Sequence, residues 1–180
     1  MWATLIETPV AAIENFPVRT QDCCVATSAL DETDHELLAL LQRDSARTLG
    51  ELGELVSLSP SAVQRRIDRY RKAGLIERQV AVLDPTQVDV LLAICLVTLA
   101  KESRALHAAF RRRLLAAPEV QQLYSVSGET DFVVVLATTS MSHFREVSER
   151  LLKDAPNIQR YSTMFVLDPV RTGTALPTRR

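Results

Sequence analysis

Residues 59–74 read SPSAVQRRIDRYRKAG, and their punctuation predicts one helix with both ends marked. Ser59 is a good N-cap, Pro60 occupies the first helical position where its missing N–H costs nothing, and Gly74 suits the residue that closes a helix. Val63, Ile67 and Tyr70 recur at i, i+4 and i+7, so they face a core and leave Ser61, Gln64, Arg65, Asp68 and Arg69 outward. Charge concentrates here: residues 59–72 hold five bases and one acid, whereas residues 31–58 hold seven acids and two bases. The net charge of −1, from 21 Lys+Arg and 22 Asp+Glu over 180 residues, hides this segregation.

Upstream, LDETDHELLALLQRD (30–44) places Leu37, Leu38 and Leu41 at helical spacing behind an Asp31 N-cap, with acidic residues in the first turn. Thr48 to Glu51 forms a Thr-x-x-Glu capping box, and Leu52, Leu55 and Val56 follow on one face. Three short helices joined by tight turns make a helix-turn-helix. Downstream, Ile76–Leu83 reads as a β-run, a wing or linker strand that ends at the turn Asp84-Pro85. From Val88 the pattern becomes strand (VDVLLAICLVTLA), helix (SRALHAAFRRRLLAAPE), strands VQQLYSV and DFVVVLATT separated by SGET, a helix around Phe144, Val147 and Leu151, and a strand near YSTMFVLD. That order, β-α-β-β-α-β, is the ferredoxin-like arrangement. The fold class is therefore α+β: a helix-turn-helix (winged-helix-like) domain at 30–75, a linker strand and turn at 76–87, a ferredoxin-like domain at 88–171, and a tail at 172–180. Residues 1–29, with Pro9 and Pro17 and no sustained period, read as an extension outside the fold.

Composition narrows the function. With 47 % hydrophobic residues and no apolar run of the roughly 18–20 residues that span a bilayer, the chain is expected to be a soluble cytoplasmic protein without a membrane partner. Cys23 and Cys24 are adjacent and Cys95 sits in an apolar run, so neither a metal set nor a disulfide framework is indicated. His35, His107 and His143 each stand alone on a predicted helix, and no phosphate-binding glycine motif occurs. No enzyme, cofactor or metal is expected.

The outward face of the 60–72 helix suits the DNA major groove: Arg bonds guanine bidentately, Gln bonds adenine, and a helix N-terminus carrying Ser59 and Ser61 meets a phosphate. Arg65 or Gln64 would read bases, and Arg69, Arg71 and Lys72 would meet phosphates. The bland alternative, a solvated charged face, loses weight within a turn-linked three-helix unit. Residues 91–99 are apolar at every odd position and at three of four even ones, and 132–137 also lack alternation. Two helices cover one face of a sheet, so the other is expected to pack sheet against sheet in a homodimer. Ser125 to Asp131 forms a polar loop between apolar strands; on residues alone it is a hairpin connection.

These blocks together resemble the Lrp/AsnC family of prokaryotic transcriptional regulators, carried by LDETDHELLALLQRD, ELGELVSLSPSAVQRRIDRYRKAGLIERQVAVLDP and VSGETDFVVVL in the family's order, from about Leu30 to Arg171. The resemblance implies a regulator that binds double-stranded DNA, responds to a small-molecule effector such as an amino acid, and assembles into dimers and larger even-numbered oligomers. It also implies that the Gly-x-x-Asp loop lines an effector site at a subunit interface, which puts Gly128 and Asp131 there and, more weakly, Ser127, Thr130 and Thr163. Two positions depart from the family: Gly53 stands where Ala is usual, and Ser57 where the turn usually has Gly. Gly53 is expected to weaken its helix by up to about 1 kcal/mol, and Ser57 to take a positive φ. Two other readings share the architecture: a ligand-independent architectural DNA-binding protein, and siroheme decarboxylases, which use a His and Arg-rich stretch where this chain has VQQLYSVSG.

Overall fold

The computed structural model describes residues 30–84 and 87–179. The expected N-terminal extension 1–29, with Cys23 and Cys24, lies outside the described residues, as do Pro85, Thr86 and Arg180. The described residues divide into two compact units: residues 30–82 join the tail from Arg171 onward, and Leu83–Val170 form the other.

The N-terminal unit holds α1 (Glu32–Arg43), α2 (Leu49–Val56) and α3 (Pro60–Lys72). Local chemistry sets each start. Asp31 and Asp34 exchange side-chain and backbone hydrogen bonds in a capping box at α1, and Thr48 and Glu51 do the same at α2. Ser59 accepts the Ala62 N–H at α3. At the far end of α3 the Leu75 N–H reaches the Tyr70 carbonyl at 2.9 Å and the Gly74 N–H reaches that of Arg71 at 3.0 Å. With Gly74 at φ 67° this is a Schellman closure. Leu37, Leu38, Leu41, Leu52, Val56, Val63, Ile67 and Tyr70 form one core. Leu55, expected on the buried face of α2, is 53 % exposed instead. An eight-residue helix has room for one apolar row, and Leu52 and Val56 fill it.

The turn between α2 and α3 corrects the reading of Gly53. Ser57 takes the expected left-handed conformation, φ 56° and ψ 42°. Gly53, however, is buried, and a Cβ there would stand 2.4 Å from the Leu58 carbonyl oxygen. What helix propensity scores as a weakness is a close approach that lets the chain fold back into α3. Gly53→Ala is therefore expected to lower the thermal midpoint of this unit, costing about 1–2 kcal/mol where propensity alone predicts a gain. Ser57→Gly should raise it by relieving the positive φ, by about 1 kcal/mol. A higher midpoint for Gly53→Ala would show that the turn relaxes freely.

Ile76–Leu83, expected as a strand, forms none. Ile76 packs against the N-terminal core, but Val80, Val82 and Leu83 stand exposed. A β-run becomes a strand only when another edge pairs its backbone, and local sequence does not supply that partner.

The second unit contains β1 (Leu91–Leu99), α4 (Arg104–Leu115), β2 (Val120–Ser125), β3 (Phe132–Thr138), α5 (Met141–Ser148), which runs on into a π-turn at Glu149–Lys153, and β4 (Ile158–Phe165). The sheet is antiparallel in the order β2-β3-β1-β4, the ferredoxin-like topology. Ala93, Cys95, Val97 and Leu99 alternate into a core with Phe132, Val134 and Leu136, capped by Phe110, Leu114, Phe144, Val147, Leu151 and Leu152. The intervening positions Leu92, Ile94, Leu96, Val133 and Val135 are half-buried in the single chain. The sheet thus has a second apolar face opposite its helices.

Candidate nucleic-acid interface and effector loop

The position of α3 depends on a carboxylate in the core. Asp34 projects from the first turn of α1 with a side chain 1 % exposed. Its Oδ1 accepts hydrogen bonds from Arg66 Nη1, Arg69 Nη2 and Tyr70 Oη, each at 2.5 Å, and its Oδ2 accepts from Arg69 at 2.6 Å and from the Asp31 N–H at 3.1 Å. Arg66 also grips Asp31, at 2.8 and 3.0 Å. Burial works against the charge on Asp34, but the hydrogen bonds from Tyr70, Arg66 and the Asp31 backbone outweigh it and hold the carboxyl below the usual carboxylate range. Burial first, and then the adjoining Asp34 charge, raise the Tyr70 phenol above its ordinary value. Arg66, Arg69 and Tyr70 lie at i, i+3 and i+4 on one edge of α3, so this clamp fixes both the rotation and the slide of α3 against α1.

Sequence reasoning missed the clamp. The signal was present: Asp34, Leu37, Leu38 and Leu41 share the buried stripe of α1, and a carboxylate on such a stripe demands cations from a facing helix.

The clamp sorts the residues expected at DNA. Val63, Ile67 and Tyr70 are buried as expected, which turns Ser61, Arg65, Arg71 and Lys72 outward. Ser59 Oγ caps the helix and lies 3.2 Å from Ser61 Oγ. Gln64 Nε2 donates to Asp68 at 2.9 Å, and Arg71 Nη2 to Gln79 Oε1 at 2.8 Å. Arg69 is half-exposed but carries its Nη2 on Asp34, so it positions the helix as well as adding charge to its surface. Among the described residues Arg65 and Lys72 are the cations of α3 that pair with no side chain.

The expected effector loop folds over the end of β1. The Asp131 N–H donates to the Val97 carbonyl at 2.9 Å, and Asp131 Oδ2 accepts the Leu99 N–H at 2.7 Å. Thr98 Oγ1 donates to the Glu129 carbonyl at 3.2 Å. Gly128 has φ 128°, open to glycine alone at no strain. Ser127 and Gly128 are exposed, and Thr130 and Asp131 half-buried. Thr163 is engaged elsewhere: it sits opposite Cys95 on the helix-covered side of the sheet, with Oγ1 3.5 Å from the buried thiol. The structure therefore gathers Ser127, Gly128, Thr130 and Asp131 in one loop and gives Thr163 a different neighbour.

His143, which the sequence leaves alone, lies 3.6 Å from Glu119, itself bonded by Arg150 at 2.8 Å. This contact fastens the start of α5 to the α4–β2 junction, 24 residues away in sequence. Among the described residues no group of three His, Cys, Asp or Glu is placed to hold a metal, and no helix is long and apolar enough to cross a membrane.

Comparison with known proteins agrees with this geometry. Residues 30–71 match the AsnC-type helix-turn-helix domain, and residues 92–176 match the Lrp/AsnC ligand binding domain. The chain belongs to the Lrp/AsnC family of transcriptional regulators. An uncharacterized HTH-type transcriptional regulator of Sinorhizobium fredii is 32 % identical, over 82 % of this chain and 88 % of its own. The DNA-binding transcriptional activator DecR of Escherichia coli is 29 % identical, over 82 % and 98 %. A transcriptional regulator of Neisseria meningitidis solved as an L-Met complex superposes with a TM-score of 0.76 at 31 % identity, covering 82 % of this chain and 96 % of that one. Family and relatives alike are regulators rather than enzymes, so the siroheme-decarboxylase reading falls away.

Proposed function

We propose that this Lrp/AsnC protein is a sequence-specific DNA-binding regulator whose affinity or assembly responds to an amino acid. The observation that supports it best is the outward face of α3: a helix locked in rotation by a buried carboxylate, presenting Ser61, Gln64, Arg65 and Lys72 to solvent. Ser59 and Ser61 meet a phosphate at the helix start, Arg65 or Gln64 reads base edges, and Arg69, Arg71 and Lys72 follow the backbone. Two copies join through the half-buried apolar sheet face, which is too extensive to leave in water, and further even-numbered assembly follows from such dimers. The dimer presents two recognition helices to paired half-sites.

The effector reading rests on the loop and on the Neisseria relative bound to L-Met. Asp131 offers its charge to the ammonium of an amino acid, while the Ser127 and Thr130 hydroxyls and the backbone around Gly128 offer bonds to its carboxylate. Because Asp131 also caps Leu99, the informative variant is Asp131→Asn, which keeps an oxygen for that N–H and loses the charge. It should retain DNA binding and lose the amino-acid response about tenfold or more, the worth of one charged hydrogen bond. Titrating wild type and variant on labelled duplex with a panel of amino acids checks this. A full response in the variant would put the site elsewhere, and no response in the wild type would favour an architectural DNA-binding protein.

A further inference from the structure

We propose that residues 174–179 are a clip that docks on α1, closing a second tether between the helix-turn-helix unit and the sheet domain. The groove is formed by α1 and the chain after α3, with Leu38, Leu41, Gln42, Ile76 and Val80 along its walls; Ala175 and Leu176 run along its rim with their side chains exposed, so the docking is made by the backbone. Gln42 reads the tail backbone as a neighbouring strand would. Its Nε2 donates to the Leu176 carbonyl at 3.0 Å, and its Oε1 accepts the Leu176 N–H at 2.7 Å. Three residues on, Arg179 pairs with Glu32 and approaches Glu36 at 3.9 Å, so the acidic first turn of α1 receives the basic end of the tail. The tail groups with this unit although its sequence follows β4 of the other.

The connectivity gives the clip its consequence. The first tether runs from Lys72 at the end of α3 to Leu91 at the start of β1, and part of it, Val80–Leu83, is exposed and pairs into no strand. The second runs from Phe165 at the end of β4 back to Leu176 on α1. One tether lets a DNA-binding unit swivel; a second, anchored on a different helix, removes much of that freedom before DNA arrives. A dimer must place two recognition helices on half-sites at fixed spacing, so the clip raises the effective concentration of the second helix at the second half-site. This rests on the DNA-binding reading above, but the docking itself does not.

Two measurements on the full chain separate them. In amide hydrogen exchange the Leu176 N–H should be protected about tenfold or more, and Gln42→Ala should abolish that protection. Gln42 is exposed, so the substitution leaves the core intact; Arg179→Glu is the second variant, acting through charge. Duplexes enriched from a random pool by the wild-type protein are then compared with the same duplexes after one half-site is scrambled. Both variants should bind the two-half-site duplex about fivefold more weakly and the single half-site as the wild type does. An unprotected Leu176 amide overturns the clip, and so does equal binding by variants and wild type on both duplexes, or equal loss on both. If the wild type enriches no duplex, the DNA reading fails while the exchange result still decides the docking.

Discussion

Asp34→Ala should unfold the helix-turn-helix unit while leaving the sheet domain folded. The substitution removes a buried carboxylate that satisfies Arg66, Arg69, Tyr70 and the Asp31 N–H together; it leaves the Tyr70 hydroxyl facing the core without an acceptor and Arg66 with Asp31 alone. Breaking a buried ion pair from one side costs about 3–5 kcal/mol, and since Arg69 is half-exposed and recovers some hydration, the lower end applies. For a three-helix unit this approaches the whole of its stability. Calorimetry should show one transition near its wild-type position and the other displaced downward by tens of degrees or lost. A variant that melts like the wild type would mean that the arginines find water at no penalty. The same group sets the acid limit. Its carboxyl is held below the ordinary range in the folded state, so its stabilisation is fully present above about pH 4 and is lost as pH falls through the depressed folded value. Asp34→Asn should flatten that acid limb.

Arg65→Ala is expected to cost about 1–3 kcal/mol in DNA binding and to relax preference at one base position, whereas Lys72→Ala should weaken all sequences alike and reduce the salt slope by about one. The two side chains lie on the same helix, both exposed and neither paired with a side chain among the described residues, so the contrast isolates what each meets on DNA. Arg69 is unsuited to the comparison, because its replacement would also open the Asp34 clamp. Competition between the preferred duplex and single-base variants, at two salt concentrations, checks both expectations. Uniform loss for both variants would assign Arg65 to the phosphate backbone.

Elements whose causes lie within a few residues were legible along the chain. The caps at Asp31, Thr48 and Ser59, the closure at Gly74, the apolar stripe of α3 and the order of the sheet domain follow from spacing and turn chemistry, because each needs only neighbours in sequence. The outward residues of α3 were legible for the same reason: once Val63, Ile67 and Tyr70 are known to be inside, Ser61 and Arg65 are outside.

Features that depend on groups far apart in the chain were not. Spacing counted Asp34 as one more first-turn acid, and only the meeting of α1 and α3 makes it the anchor of three side chains 32–36 residues away. Gly53 is the near-range exception: it read as a weak helix former, and only the path of the turn brings the Leu58 carbonyl, five residues on, against it. The β-run 76–83 had strand composition but no edge to pair with, Thr163 turned to Cys95, and the tail, which sequence could not place, returned to Gln42. Periodicity and capping are written in the chain's local order, so sequence alone determined the elements and the face each would bury. Which polar groups satisfy one another across elements is a property of proximity in space, and the folded chain alone decides it.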